Sequence, residues 1–176
     1  VANSVLLKEG DDLNEQVLIE TLGLPIFVKP TDSGSSYGIS KVKKAEELMS
    51  AIDTAFKEGS TIVLESFLDG IEVTCGVYRT KTELSALPLT EIVSENEFFD
   101  FEAKYQGKSN EITPARISPE LTLKIQKEAK RIYQLLNLKS IARIDFMLVG
   151  DTPFVIEVNT TPGFSAESIV PKMLAE

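Results

Sequence analysis

The stretch IARIDFMLVGDTPFVIEVNTTPG, residues 141–163, reads as two strands joined by a tight turn. Side chains alternate across a strand, so Arg143, Asp145 and Met147 share one face of Ile141–Val149, with Ile144, Phe146 and Leu148 on the other. The same alternation over Phe154–Asn159 groups Val155, Glu157 and Asn159 opposite Phe154, Ile156 and Val158. The link Gly150-Asp151-Thr152-Pro153 is short and turn-forming, which predicts a hairpin. Asp145, Glu157 and Asn159 then converge as oxygen ligands, with Arg143 beside them. Two carboxylates and an amide, leaving positions open, suit Mg²⁺ completed by substrate phosphates and water. The plainer alternative is a solvated sheet face carrying an Arg–carboxylate pair.

Outward from this hairpin, further strands are expected at Ser4–Lys8, Ile26–Lys29, Ile62–Glu65, Glu72–Tyr78 and Ala86–Val93. Three amphipathic helices complete the pattern. The first spans about Asp11–Leu22, with Asp11 or Asp12 as N-cap, Leu13 and Val17 inward, and Gly23 as the stop. The second spans about Lys44–Lys57 and buries Leu48, Ile52, Ala55 and Phe56, with Gly59 ending it. The third spans about Pro119–Asn137, capped by Ser118, with Leu121, Ile125, Ile132 and Leu136 as its buried stripe. Strands outnumber helices and several neighbours are joined by short loops. An α+β fold with mainly antiparallel sheets follows, and a lobe boundary is expected near Phe67–Gly70.

Absences narrow the chemistry. There is no His, which excludes Ser-His-Asp hydrolysis, His proton shuttling and His-ligated zinc from this chain. The one Cys, Cys75, allows neither an internal disulfide nor a thiolate cluster, and its apolar surroundings predict an inert core position. Any metal must therefore be hard and oxygen-bound. A net charge of -9 argues against a nucleic-acid partner. No apolar run approaches the ~20 residues of a membrane span, and VANSVLLKEG lacks the basic start of a secretory signal. A soluble, cytoplasmic protein is expected, and the start at Val1 suggests a piece of a longer one.

Three other stretches carry weaker signals. A strand ending on Lys29-Pro30 runs into Thr31-Asp32-Ser33-Gly34-Ser35-Ser36-Tyr37-Gly38, whose small residues let backbone N–H groups approach phosphate while Lys29 supplies counter-charge. A turn of solvated serines explains it equally. In Ile62–Glu72, a strand running out to Glu65, Phe67 and Leu68 suits an adenine edge, and Glu72 suits ribose hydroxyls; alone, the segment is a plain strand–turn–strand. The run Glu97–Asn110 mixes aromatics and charges, as a mobile lid does, and as a solvated loop over buried aromatics also does.

The order of these motifs resembles the D-alanine–D-alanine ligase family. It comprises Val28-Lys29-Pro30 with Gly34-Ser35-Ser36-Tyr37-Gly38, then Glu65 and Glu72, Glu102-Ala103-Lys104-Tyr105, Arg143-Ile144-Asp145, and Glu157-Val158-Asn159-Thr160-Thr161-Pro162-Gly163. The resemblance covers nearly the whole chain. It implies an ATP-grasp fold with a small lobe at residues 1–67, a large lobe at 68–176, and ATP between their sheets.

Site roles follow from the same resemblance. Lys29, with the Ser35 and Ser36 backbone, would contact phosphates; Glu65, Phe67 and Leu68 would meet adenine; Glu72 would take the ribose, and Phe98 and Met147 would pack on the base. Asp145, Glu157 and Asn159 would bind two Mg²⁺, with Mn²⁺ as an alternative and Glu157 bridging. Lys104 would reach phosphate from the lid and Tyr105 would close over the substrate. Arg143 and the Gly163 N–H would stabilise an oxyanion, and Ser168 would lie near the dipeptide.

The implied reaction phosphorylates the carboxylate of one D-alanine, and the amine of a second D-alanine then attacks, with no need of His or Cys. The implied partners are ATP and D-alanine, with no nucleic acid and no membrane; the full-length enzyme is compatible with a homodimer.

The chain departs from the family pattern in several places. The family's N-terminal domain, with a Glu for the first D-alanine, and an upstream ATP-contacting Lys are absent. Tyr37 replaces a commoner small aliphatic residue, and Glu167 stands where some members have His. Tyr105 in the lid, where depsipeptide-forming relatives tend to carry His, favours the dipeptide over D-alanine–D-lactate or D-alanine–D-serine ligation. A binding module without turnover is the non-enzymatic alternative.

Overall fold

Nine strands and four α-helices are present among the described residues of the computed structural model, which are 1–32, 37–94 and 109–176. Among these, Ala2–Leu68 form one compact unit and the residues from Asp69 onward form another.

In the first unit, β1 (Ser4–Lys8), β2 (Ile26–Pro30), β3 (Ser40–Val42) and β4 (Thr61–Ser66) make an antiparallel sheet in the order β1-β4-β2-β3. One face is apolar: Leu7, Ile26, Val28, Val42, Ile62 and Leu64 pack with helices α1 (Glu15–Leu22) and α2 (Leu48–Phe56). Each such side chain stabilises the fold by roughly 1.5–3 kcal/mol through burial. The alternate residues, including Phe27, Lys29 and Glu65, are left on the open face.

Helix α1 starts later than its Asp residues suggested. Asp11 accepts a hydrogen bond from the Lys8 N–H at 2.8 Å, which closes a turn, and Asn14 is the true N-cap, accepting from the Val17 N–H at 3.2 Å. Leu18 and Leu22 therefore form the buried stripe and Val17 is exposed. The second helix has a 3₁₀ turn, Ala45–Glu47, before α2, and its C-cap is Lys57 rather than Gly59. Leu48, Ile52 and Ala55 are buried as expected.

In the second unit, β5 (Ile71–Arg79), β6 (Leu84–Ser94), β7 (Ser109–Ile112), β8 (Ile141–Val149) and β9 (Thr152–Asn159) form an antiparallel sheet ordered β7-β6-β5-β8-β9. Helix α3 (Pro119–Leu135) covers one face with Ile125, Ala129, Ile132 and Tyr133, against Val73, Cys75, Ile144 and Phe146. Ser118 caps it with Pro119 behind, as expected, but Leu136 is the exposed C-cap rather than part of the stripe. The short helix α4 (Ile169–Ala175) packs Val170 and Met173 on Leu87, next to Gly76.

Two bulges decide which residues share a face. The β8–β9 register places Asp145 opposite Glu157 but Phe146 opposite Val155, so Ile156 is an extra residue. Val155 consequently packs with the α3-side core, and Ile156 is 40% exposed, the reverse of simple alternation. On β6, Leu87 and Pro88 together face Gly76, which turns Leu87 toward α4 while Leu89 stays under α3. A proline, lacking an N–H, is tolerated at such a position.

Gly70 is fixed by sterics. A Cβ there would stand 2.3 Å from the Leu148 carbonyl oxygen, where only backbone could yield. Gly70→Ala is expected to lower unfolding stability by about 3 kcal/mol. Urea titration would show this, and an unshifted midpoint would mean that the Gly70 approach is not constrained.

Candidate functional site

The polar centre of the second unit lies on the sheet face opposite α3. Asp145 is 7% exposed and is the acceptor at the middle of a small network. Arg143 donates to it in a fork, Nε to Oδ1 and Nη2 to Oδ2, both at 2.9 Å. Thr74 Oγ1 donates to Oδ1 at 2.5 Å, and Asn159 Nδ2 donates to Oδ2 at 2.9 Å. An ionised carboxylate offers about four lone-pair sites, so these four donors saturate it.

Strand register explains the convergence. Thr74 on β5 pairs with Asp145 on β8, which pairs with Glu157 on β9, while Arg143 pairs with Asn159. Burial opposes the Arg143 charge, yet the hydrogen bonds and charge of Asp145, with Glu157 and Glu72 beyond it, hold its pKa above the ordinary guanidinium value. Glu157 is exposed, and its side chain has no hydrogen bond among the described residues. Asn159 spends its Nδ2 on Asp145, which leaves its amide oxygen. Glu157 and Asn159 thus present hard oxygen donors that fit a divalent cation; Asp145 can join them only by releasing one of its four donors.

Neighbouring positions complete this face. Glu72 and Met147 stand opposite each other in the β5–β8 register. In the loop after β9, Ser168 Oγ accepts from the Ser165 N–H at 3.1 Å and lies 2.9 Å from where a Gly163 Cβ would be. Gly163 and Ser168 are therefore in close contact, and a side chain at 163 would require the Ser168 hydroxyl to move.

In the first unit, Lys29 Nζ and Glu65 Oε2 form an ion pair at 2.6 Å on the open sheet face. Phe27 and Phe67 lie beside them with ring centroids 6.1 Å apart. Lys41 Nζ sits 4.1 Å from the Phe67 centroid. Leu68 is half-buried at the end of this unit.

Ser35, Ser36, Phe98, Lys104 and Tyr105 lie outside the described residues, as does the expected lid except its last two residues, Ser109 and Asn110, which begin β7. Sequence reasoning overlooked Thr74 and Lys41. Thr74 was legible in principle, because alternation from Glu72 puts it on the carboxylate face. Lys41 was not, since β3 is only three residues long.

Cys75 is buried, and desolvation pushes its thiol up to about 12. At pH 8 the thiolate fraction is then on the order of one in ten thousand. Folded chain is expected to resist iodoacetamide for hours and to react on denaturation; rapid labelling of the native chain would contradict the burial.

Comparisons with known proteins agree with this architecture. The family described as D-ala D-ala ligase C-terminus matches residues 2–176. The D-alanine–D-alanine ligase of Flavobacterium johnsoniae is 53% identical over 171 residues, covering 97% of this chain and 53% of that protein. Among solved structures, a D-Ala:D-Ser ligase from Enterococcus faecalis matches with a TM-score of 0.84 at 35% identity, over 99% of this chain and 52% of that one. The D-alanine–D-alanine ligase from Bacillus anthracis complexed with ATP matches with a TM-score of 0.81 at 30% identity, over 99% of this chain and 54% of that one. The chain thus spans about half the length of the curated relatives it matches. Its α+β, ATP-grasp architecture is the one expected from the motifs. By sequence and by fold, this chain belongs to the D-alanine–D-alanine ligase family, whose C-terminal region it matches over nearly its whole length.

Proposed function

We propose that this chain carries the ATP- and metal-binding part of an enzyme that joins two D-alanines, for peptidoglycan precursor synthesis in the cytoplasm. The observation that carries the proposal is the Arg143–Asp145–Asn159 network with Glu157 opposite, on one sheet face of a chain of this family. Residues 1–67 are assigned to the small lobe and 68–176 to the large lobe.

In this reading Lys29 exchanges its ion pair with Glu65 for nucleotide phosphate, with the Ser35 and Ser36 backbone and Lys104 assisting. Glu65, Phe67 and Leu68 contact adenine, with Phe98 and Met147 against the base and Glu72 on the ribose. Asp145, Glu157 and Asn159 hold the metal, assigned as two Mg²⁺ ions. Bound there, the metal would neutralise charge on the transferring phosphoryl group. The γ-phosphoryl group passes to the carboxylate of one D-alanine, releasing ADP. The amine of a second D-alanine then attacks the acyl phosphate, and phosphate leaves. Arg143 and the Gly163 N–H steady the oxyanion of that addition, with Ser168 near the dipeptide and Tyr105 over the substrate. The full-length enzyme is proposed to act as a homodimer.

The test is ADP release at high D-alanine, measured for this chain and for a chimera that adds the N-terminal half of the Flavobacterium johnsoniae enzyme. The chimera is expected to release ADP and make D-alanyl-D-alanine, and the chain alone to make little. ADP release indifferent to D-alanine in the chimera would sink the proposal. The similarity to the Enterococcus faecalis D-Ala:D-Ser ligase supports a second reading, in which D-serine is the second substrate. Products formed from D-alanine with D-serine or D-lactate decide between them, and the dipeptide of D-alanine is expected.

A further inference from the structure

We infer that Thr74 is a positioning residue for Asp145 and sets how tightly this site holds a divalent cation. The inference rests on the metal reading proposed above. Thr74 is 1% exposed in the central strand of its sheet and stands directly opposite Asp145 in the β5–β8 register. Its hydroxyl has a single hydrogen to give. The Ile144 carbonyl is 3.4 Å away and Asp145 Oδ1 only 2.5 Å, so the carboxylate receives it. A hydrogen bond from a hydroxyl to a carboxylate is among the stronger kinds.

The other two partners of Asp145 have competing duties. Arg143 is needed at the oxyanion, and Asn159 offers its amide to the metal. Asp145 must also surrender a hydrogen bond before it can bind a cation, and Arg143, which supplies two of the four, is the partner with other work to do. Thr74 has no second task. Its branched Cβ restricts it to few rotamers, and it is almost wholly buried. When Arg143 turns away, Thr74 keeps Oδ1 in place and leaves Oδ2 to the metal. A threonine buried only for packing would be replaceable by valine, which has the same shape.

The experiment measures Mn²⁺ binding to this chain in the presence of ATP and without D-alanine, from the loss of the free Mn²⁺ electron paramagnetic resonance signal beyond that caused by the same ATP without the chain. Thr74→Val is expected to weaken Mn²⁺ binding on the order of tenfold, as loss of a partner to a metal ligand does. Thr74→Ser, which keeps the hydroxyl, is expected to bind like the parent chain. Melting temperatures without metal separate binding from folding. Should Thr74→Val fail to fold, Thr74→Cys, a weak donor at the same place, is expected to fall clearly below Thr74→Ser.

Equal Mn²⁺ affinity in the parent, Ser and hydroxyl-less variants would overturn the role of Thr74 while leaving the metal site standing. Weakening by Ser as large as by Val would overturn it too, since packing rather than the hydroxyl would be at work. No Mn²⁺ binding by the parent chain would overturn the metal reading itself, and this inference with it.

Discussion

Glu157→Gln is expected to lower D-alanine-dependent ADP release by about a thousandfold in the chimeric enzyme, which corresponds to roughly 4 kcal/mol of lost charge stabilisation. The reason lies in the division of labour around Asp145. That carboxylate is already saturated by Arg143, Thr74 and Asn159, whereas the Glu157 side chain is exposed and has no hydrogen bond among the described residues. Glu157 is thus the carboxylate most ready to take a cation. Glutamine keeps its shape and removes its charge. Because the side chain is exposed, the folded state should change by no more than about 0.5 kcal/mol. Steady-state ADP release at saturating Mg²⁺, beside thermal melts, checks both halves. Undiminished turnover would remove Glu157 from the metal site.

Arg143→Ala is expected to act on rate and stability together. In the oxyanion role proposed for Arg143, its loss is expected to lower kcat by about 10²–10³-fold. The same change leaves Asp145, with its side chain only 10% exposed, without its charged partner. Breaking a buried pair from one side costs about 3–5 kcal/mol. Arg143→Lys separates the two effects, because an ammonium keeps the charge but cannot reproduce the two-pronged geometry. Lysine should recover much of the stability and little of the rate. Full recovery of kcat by lysine would show that the charge of Arg143 matters and its fork does not.

How far such roles could be read from sequence depends on what fixes each residue. Period-2 alternation needs only local sterics, so Arg143 and Asp145 were legible on one face of β8, and Asn159 with Glu157 on β9. The bulge at Ile156 was not, because an extra residue is specified by pairing with β8 and not by any residue inside β9. Without it, Val155 would have crowded the polar face. The start of α1 was misjudged for a related reason. Asp11 and Asn14 are both good capping residues, and the choice fell to the backbone of Lys8, which claims the Asp11 carboxylate. Helix α4 is absent from the expected elements: at seven residues it carries little periodic signal, and Pro171 is tolerated because a proline in the first turn forfeits no helical hydrogen bond. Strands β3 and β7, of three and four residues, are too short to carry a periodic signal. Alternation puts Thr74 on the face of Glu72, but only the register places Asp145 opposite it.

Calorimetric titration of the chain with Mg·ATP asks whether its own residues bind ATP together with a divalent cation. One saturable site is expected, lost when a chelator removes Mg²⁺ and weakened by Glu157→Gln. Absence of binding, or binding indifferent to both Mg²⁺ and Glu157, would contradict a nucleotide and metal site on this chain.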